Sequence, residues 1–134
     1  MREILFRGKR KDNGEWVEGY YVCVGGKYHY ILTGQIDLMS GYPRFIYCEV
    51  IPETVGQYTG LTDKNGKKIF EGDIVRFRTQ TSVFKPSFLV MWHEETARFI
   101  VAIKDGVRAY PMDKTWKYEI IGNIHDNPEL LKGD

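Results

Sequence analysis

Two arginines in the segment "DIVRFRTQ" (73–80) are the residues whose spacing points most directly to a binding chemistry. If the segment is a strand, Arg76 and Arg78 lie side by side on one face and Phe77 on the other, because successive side chains of a strand alternate. Basic residues interleaved with aromatic rings can neutralise phosphates and stack on bases, which is typical of a nucleic-acid surface. The candidate binding residues are Arg76, Arg78, Lys85 and Phe84. The formal net charge of only +1 opposes this interpretation, and its alternative is a pair of solvated arginines on a half-buried strand.

The segment "MWHEET" (91–96) is a candidate for hydrolytic chemistry. On a strand, His93 and Glu95 share a face, so a carboxylate could orient the imidazole if both lay in one cleft. A zinc protease would need His-Glu-x-x-His, but position 97 is Ala. The alternative is a charged turn after an apolar strand, and we favour it.

The remaining ionisable residues do not have the spacing of a metal or catalytic site. The soft ligands are His29, His93, His125, Cys23 and Cys48, and none of them forms a Cys-x-x-Cys or His-x-x-x-His pair. We therefore expect no metal, no cofactor and reduced cysteines. Asp63 and Asp73 are expected to serve turns and strand starts, and the chain is expected not to be an enzyme.

Short strands joined by glycine turns must position these residues. Asn13-Gly14, Gly25-Gly26, Asn65-Gly66 and Lys104-Asp105-Gly106 each separate apolar runs in the manner of tight hairpins. The segment "TQTSVFKPSF" (79–88) is expected to be an exposed loop with two phenylalanines that could support self-association. "TGQIDLMSGYP" (33–43) is expected to be another loop.

The fold class expected from this pattern is mainly β, with two small lobes of antiparallel strands. The N-terminal lobe would span 1–52, a connection 53–62, and a C-terminal lobe 63–134 that forms a partly open SH3-like barrel. "HDNPELL" (125–131) should add a short C-terminal helical turn, with Asn127 as N-cap and Pro128 in the first helical position. The expected core residues are Ile4, Phe6, Trp16, Val17, Tyr21, Ile46, Leu61, Ile69, Ile74, Val75, Phe77, Leu89, Met91, Phe99, Val101, Trp116, Ile120, Ile121 and Ile124.

The apolar runs are too short for a membrane protein. "FLVMW" and "FIVAI" are the longest of them and cannot span a bilayer. The start of the chain carries charges on both sides of a short apolar step, unlike a signal peptide. We therefore expect a cytoplasmic protein without a membrane partner.

Three segments resemble the blocks that define the YopX family of small phage and prophage proteins. They are "ILFRGKRKDNGEWVEG" (4–19), "PETVGQYTGLTDKNGKKIFEGDIV" (52–75) and "YEIIGNIHDNPELL" (118–131). The resemblance implies a mostly β protein of unknown function that resides in the cytoplasm of a bacterial host. It implies no catalytic residue, cofactor or ligand.

Two functions remain as hypotheses. The first is a non-enzymatic phage or prophage accessory protein that acts as a protein-interaction module, with an unknown host or phage protein or a second copy of itself as partner. The second is a small nucleic-acid-binding β-barrel that uses Arg76, Arg78 and the basic run of Arg2, Arg7, Lys9, Arg10 and Lys11.

Overall fold

The chain divides into two compact units, Met1–Tyr58 and Thr59–Asp134. The computed structural model describes residues 3–39, 41–103 and 108–131. The division falls within the segment 53–62 that the sequence analysis expects to be a connection. That segment contains a strand, so the two units are joined by regular structure.

The described part of the first unit is built from antiparallel strands around glycine turns. These strands are β1 (Phe6–Lys9), β2 (Trp16–Val24), β3 (Tyr28–Asp37), β4 (Arg44–Glu49) and the start of β5 (Gly56–Thr62). They hydrogen-bond in the order β4-β3-β2-β1-β5, and a 3-10 turn at Pro52–Thr54 precedes β5. Gly25 and Gly26 adopt φ angles of 62° and 67° at the centre of the β2–β3 turn, in which the Lys27 N–H donates to the Val24 carbonyl.

The second unit contains the rest of β5 and an open antiparallel sheet. Its further strands are β6 (Lys68–Phe70), β7 (Asp73–Arg78), β8 (Val83–His93), β9 (Arg98–Ala102), β10 (Ala109–Pro111) and β11 (Lys117–Asn123). The sheet has the order β10-β9-β8-β7-β11, and β5 pairs with β6 through the Asn65-Gly66 turn. A 3-10 turn at Pro128–Leu131 ends the described chain.

The core of the second unit is dominated by side chains of β7, β8, β9 and β11. Phe77 lies at its centre, with ring centroids of Phe84, Phe88, Trp116 and Tyr118 between 4.5 and 5.6 Å away. The other buried members are Ile69, Val75, Val90, Val101 and Ile103. Rings packed at these distances add attraction beyond the area that they bury, so this cluster fixes the sheet.

The mainly β class, the antiparallel strands and the C-terminal helical turn expected from the sequence are confirmed. The expected SH3-like barrel is not closed, because the described strands β10-β9-β8-β7-β11 form an open sheet. The hairpins at Asn13-Gly14, Gly25-Gly26 and Asn65-Gly66 are also present. The hairpin expected at 104–106 lies outside the described residues. Among these, no helix is long and apolar enough to cross a membrane.

Several local predictions are wrong. The expected loop 79–88 becomes strand from Val83, since Phe88 is buried and Phe84 packs on Phe77. The expected loop 33–43 is strand as far as Asp37. The expected connection 53–62 does contain the division between the units, and part of it is strand β5. Glycines and threonines hid the strand period there, and pairing with neighbouring strands decided the outcome.

Two expected core residues are exposed. Ile4 is 53% exposed and Met91 39% exposed. On β8 the alternation has the opposite phase to the one expected, so Phe88 and Val90 are buried instead of Met91. Both Ile69 and Phe70 are buried, although only one of them was expected to enter the core.

Gly19 generates a prediction for the first unit. A Cβ atom at this position would lie 1.9 Å from the carbonyl oxygen of Leu32, a backbone atom on the neighbouring strand. We expect Gly19→Ala to destabilise the protein by about 1–3 kcal/mol, because the β2–β3 pair must separate to admit the methyl group. Urea unfolding would measure the loss, with the exposed neighbour Glu18→Ala as control. Equal stabilities of the two variants would contradict the close approach.

Candidate functional site

A cavity of about 410 Å³ in the second unit brings together all four residues that the sequence predicted as a binding surface. We call it the cationic cavity. Its charged lining residues are Lys64, Arg76, Arg78, Lys85, Lys117 and Glu119, and its apolar ones are Phe77, Val83, Phe84 and Tyr118. Five cations thus surround one carboxylate.

Strand β7 positions the two arginines through its alternation. Phe77 is only 3% exposed and lies in the aromatic core, whereas Arg76 and Arg78 are exposed on the opposite face. The sequence predicted this division of the strand, and the structure confirms it. Burial of one ring therefore forces both guanidinium groups toward solvent.

Strand β11 adds charges directly opposite these arginines. Lys117 is the register partner of Arg78, and Glu119 is the partner of Arg76. Like charges placed opposite each other on adjacent strands destabilise a sheet. The Arg78–Lys117 pair is therefore a feature that the fold does not need for its stability.

A bulge in β8 brings Lys85 to the cavity. Val75 pairs with Phe88 and Phe77 pairs with Phe84. The chain therefore advances by two residues on β7 but by four residues on β8 between these pairs. The extra residues of β8 lie around Pro86, which has no N–H for a ladder bond and is tolerated in strands at such irregularities. Bulges re-aim side chains and are frequent next to sites.

The charges of the cavity are poorly compensated. The carboxylate of Glu119 lies 3.1 Å from the Lys64 ammonium, and both side chains are about half exposed. Within the described residues, Arg76, Arg78, Lys85 and Lys117 form no salt bridge. An anionic ligand could therefore contact four cations without breaking a salt bridge within the protein.

Tyr118 forms a neutral floor beneath these charges. Its ring is 1% exposed, and its hydroxyl oxygen accepts a 2.9 Å hydrogen bond from the backbone N–H of Asp113. Burial raises the pKa of Tyr118 to about 12, although the bond from Asp113 opposes this. The phenol is therefore uncharged at neutral pH and does not offset the cations above it.

The turn between β5 and β6 places Lys64 at the cavity. The Asp63 carboxylate accepts backbone hydrogen bonds from Asn65 at 2.8 Å and Lys67 at 3.0 Å through Oδ1, and from Ile120 at 3.3 Å through Oδ2. The backbone N–H of Lys64 also donates to the carbonyl of Tyr118. These bonds connect the turn to β11.

Ionisation of Asp63 is favoured in the folded protein. Burial acts to raise the pKa of this carboxyl, but the backbone N–H groups of Lys67, Asn65 and Ile120 outweigh it, and the pKa is lowered below its ordinary value. Asp63 therefore has the structural role that its turn sequence predicted.

The N-terminal basic run is largely engaged within the first unit. Arg10 contacts Asp12 at 2.8 Å and Lys11 contacts Glu49 at 3.2 Å. Arg7 lies over the Trp16 ring at 4.7 Å. Arg2 lies outside the described residues, and the described members do not form a free cationic patch.

A second candidate site, which the sequence analysis missed, is an apolar sheet face in the first unit. The exposed side chains on this face come from β2, β3 and β4, and we call them the aromatic face: Tyr20, Val22, Val24, Tyr28, Ile36, Phe45 and Tyr47. Half-buried Tyr30 lies among them with its ring edge toward Tyr47, at a centroid distance of 5.3 Å. An open cavity of about 670 Å³ borders the face at Phe45 and Tyr47.

A signal for this face was present in the sequence. In "GYYVCVGGKYHYIL" (19–32), apolar residues occupy both the odd and the even positions around a glycine turn. Such a hairpin has two apolar faces, of which the structure buries only the one that carries Ile31. The other face is left to solvent.

The histidines and cysteines do not gather at one point. His29 hydrogen-bonds the Tyr21 hydroxyl, and its other ring nitrogen lies 4.0 Å from the Cys23 sulfur. His93 Nδ1 hydrogen-bonds Thr96 Oγ1 at 2.7 Å in the exposed β8–β9 turn. Among the described residues, no three His, Cys, Asp or Glu side chains are grouped as a metal site.

Comparison with known proteins gives a family for this chain. The family model described as "YopX protein" matches residues 5–132. The chain belongs to the YopX family. The resemblance seen in its three sequence blocks is thereby confirmed.

A solved structure has a similar fold. The chain is similar to the crystal structure of protein EF1440 from Enterococcus faecalis, with 26% sequence identity and a TM-score of 0.62. The similarity covers 98% of this YopX-family chain and 100% of the other. A search of curated proteins finds no match.

The Asp63 turn generates a prediction. Because the folded-state pKa of Asp63 is lowered, its contribution to stability is complete above the unfolded-state pKa near 3.8 and is lost as the pH falls through the folded-state pKa. We expect Asp63→Asn to lower the free energy of unfolding at neutral pH by about 1–3 kcal/mol, since an amide cannot accept all three N–H bonds.

Urea unfolding at neutral pH and at about pH 3 would test this. The difference between wild type and Asp63→Asn should shrink at the lower pH, where the wild-type carboxylate begins to be protonated. The exposed Glu53→Gln serves as control. A difference that is independent of pH would contradict the role of the charge.

Proposed function

We propose that this YopX-family chain is a non-enzymatic accessory protein of a phage or prophage that acts by protein–protein contact through its aromatic face. The phage or prophage setting, and a location in the bacterial cytoplasm, follow from the family resemblance and belong to the proposal. The observation that carries the mode of action is the exposed face of β2, β3 and β4.

The size of the aromatic face supports a protein partner. Phe45, Tyr20 and Tyr47 are 67%, 60% and 60% exposed. Each ring offers about 200 Å² when fully exposed, and each aliphatic side chain somewhat less. Summed over its seven side chains, the aromatic face exposes on the order of 600 Å². Soluble monomers rarely leave a contiguous apolar patch larger than this without a function.

The composition of the face also favours protein over nucleic acid. Tyr and Phe are enriched at the centres of protein interfaces, where charged residues are depleted. The seven side chains of the aromatic face carry no charge, so they offer nothing to neutralise a phosphate. The nearby cations Arg7 and Lys9 lie over Trp16, beside the face.

We assign a second copy of this chain as the occupant. A specific interface buries about 800 Å² on each partner, and the exposed area of the aromatic face approaches that value. A face used in a two-fold dimer meets its own copy, and the seven uncharged side chains of the aromatic face would meet without repulsion between like charges. Two such sheets can stack as the layers of a sandwich, at about 10 Å.

Light scattering after size exclusion tests this function. We expect a concentration-dependent species at twice the 15.6 kDa chain mass, and its loss in the double variant Phe45→Glu with Tyr47→Glu, which places carboxylates in the interface. Ala109→Glu is the control, since Ala109 is exposed on β10 of the second unit and belongs to neither the aromatic face nor the segment 79–88. A wild-type monomer at every concentration, or a dimer that the double variant leaves intact, would contradict the proposal.

A further inference from the structure

We propose that the cationic cavity of the second unit binds the phosphodiester backbone of single-stranded nucleic acid. This inference is separate from the contact proposed for the aromatic face. It uses different residues, in a different unit of the chain.

The spacing of the charges favours this ligand. Arg76 and Arg78 are two residues apart on β7, so their Cα atoms lie about 6.8 Å apart along the strand. Lys117 lies directly across from Arg78 on β11. Arg76 and Arg78 therefore form a row of two cations along β7, and Lys117 extends the positive charge beside Arg78. Glu119 lies opposite Arg76. Cations spaced along a strand suit a chain of regularly spaced phosphates better than one isolated anion.

The Arg78–Lys117 pair has an energetic cost in the absence of a ligand. Arg78 and Lys117 repel each other across the β7–β11 pair, and neither forms a salt bridge within the described residues. A sheet gains nothing from this juxtaposition. A phosphate placed between the two side chains would convert the repulsion into two charge-assisted hydrogen bonds.

The cationic cavity also has an apolar side. Val83, the β8 register partner of Arg78, is 74% exposed, and half-buried Phe84 lines the same cavity. Bases of a single strand are free to contact such surfaces, whereas those of a duplex are stacked and paired. A cavity volume of about 410 Å³ is in the range of small-ligand sites and can admit one nucleotide unit.

An acidic protein segment is the competing ligand class, and the observations favour it less. An acidic peptide would use the same cations, because an arginine fork pairs with carboxylates as well as with phosphates. Its carboxylates would bring no planar group to the exposed apolar surface of Val83, whereas each nucleotide carries a base. The experiment below separates the two classes.

Fluorescence anisotropy with a labelled single strand of about 16 nucleotides tests the inference. We expect binding that weakens as salt rises, with a slope of log K against log salt near −3, because each of four neutralised phosphates contributes about −0.7. Arg78→Gln and Lys117→Gln should each weaken binding about tenfold and reduce the slope by about 0.7.

Matched controls distinguish a binding effect from a general effect of charge or folding. Arg98→Gln removes the same charge from an exposed position on β9 and should leave affinity within about twofold. Thermal unfolding should show that Arg78→Gln is at least as stable as wild type, since it removes a like-charge pair. A residue needed only for the fold would lower both stability and binding.

The outcomes that overturn the inference are definite. They are the absence of an anisotropy change at low salt, an equal loss of affinity in Arg98→Gln, and equal or tighter binding of a duplex or of polyglutamate of the same charge. None of these depends on whether the chain dimerises through the aromatic face. Failure of one proposal is therefore distinguishable from failure of the other.

Discussion

Burial of the Phe77 ring is the constraint on which the second unit depends. The ring stacks with Phe84 at 4.5 Å and with Trp116 at 5.3 Å, and it contacts Phe88 and Tyr118 as well. These partners come from β8, β11 and the segment before β11, so one side chain holds three parts of the sheet together. Because successive side chains of a strand point to opposite faces, burial of Phe77 directs its neighbours Arg76 and Arg78 to solvent.

The two units differ in how many of their apolar residues they bury. The second gathers its rings into one cluster around Phe77, whereas the first buries Ile31 and Val50 and leaves many tyrosines exposed. A small hairpin sheet cannot cover both of its faces by itself, so an uncovered apolar face invites association. The cationic cavity shows the opposite imbalance, with an excess of charge above a well-packed floor.

Local chemistry made much of this arrangement predictable. Gly14, Gly25 and Gly66 adopt the positive φ angles that their turn sequences require, and the alternation around Phe77 placed the two arginines correctly. Family membership was also visible in three short blocks, and the family model confirms it. These features depend on residues close in sequence, so no tertiary information was needed.

The rest depends on partners distant in sequence. The strand at Gly56–Thr62 has no clear period, and it became a strand because edges of other strands were available to it. Lys64 and Lys117 joined the arginines only through the Asp63 turn and the β7–β11 register. The phase error on β8 arose from an apolar run with no polar residue to mark its outward face.

The bulge at Pro86 separates the ring core from the rim of the cavity. Phe84 pairs with Phe77 and Phe88 with Val75, so the ring contacts lie on either side of the bulge. Between them, Lys85 is exposed and lines the cavity, whereas Ser87 is buried. A substitution at Lys85 would therefore change which ligand the rim accepts without moving a ring, so one strand carries the residues for packing and for selectivity at different positions.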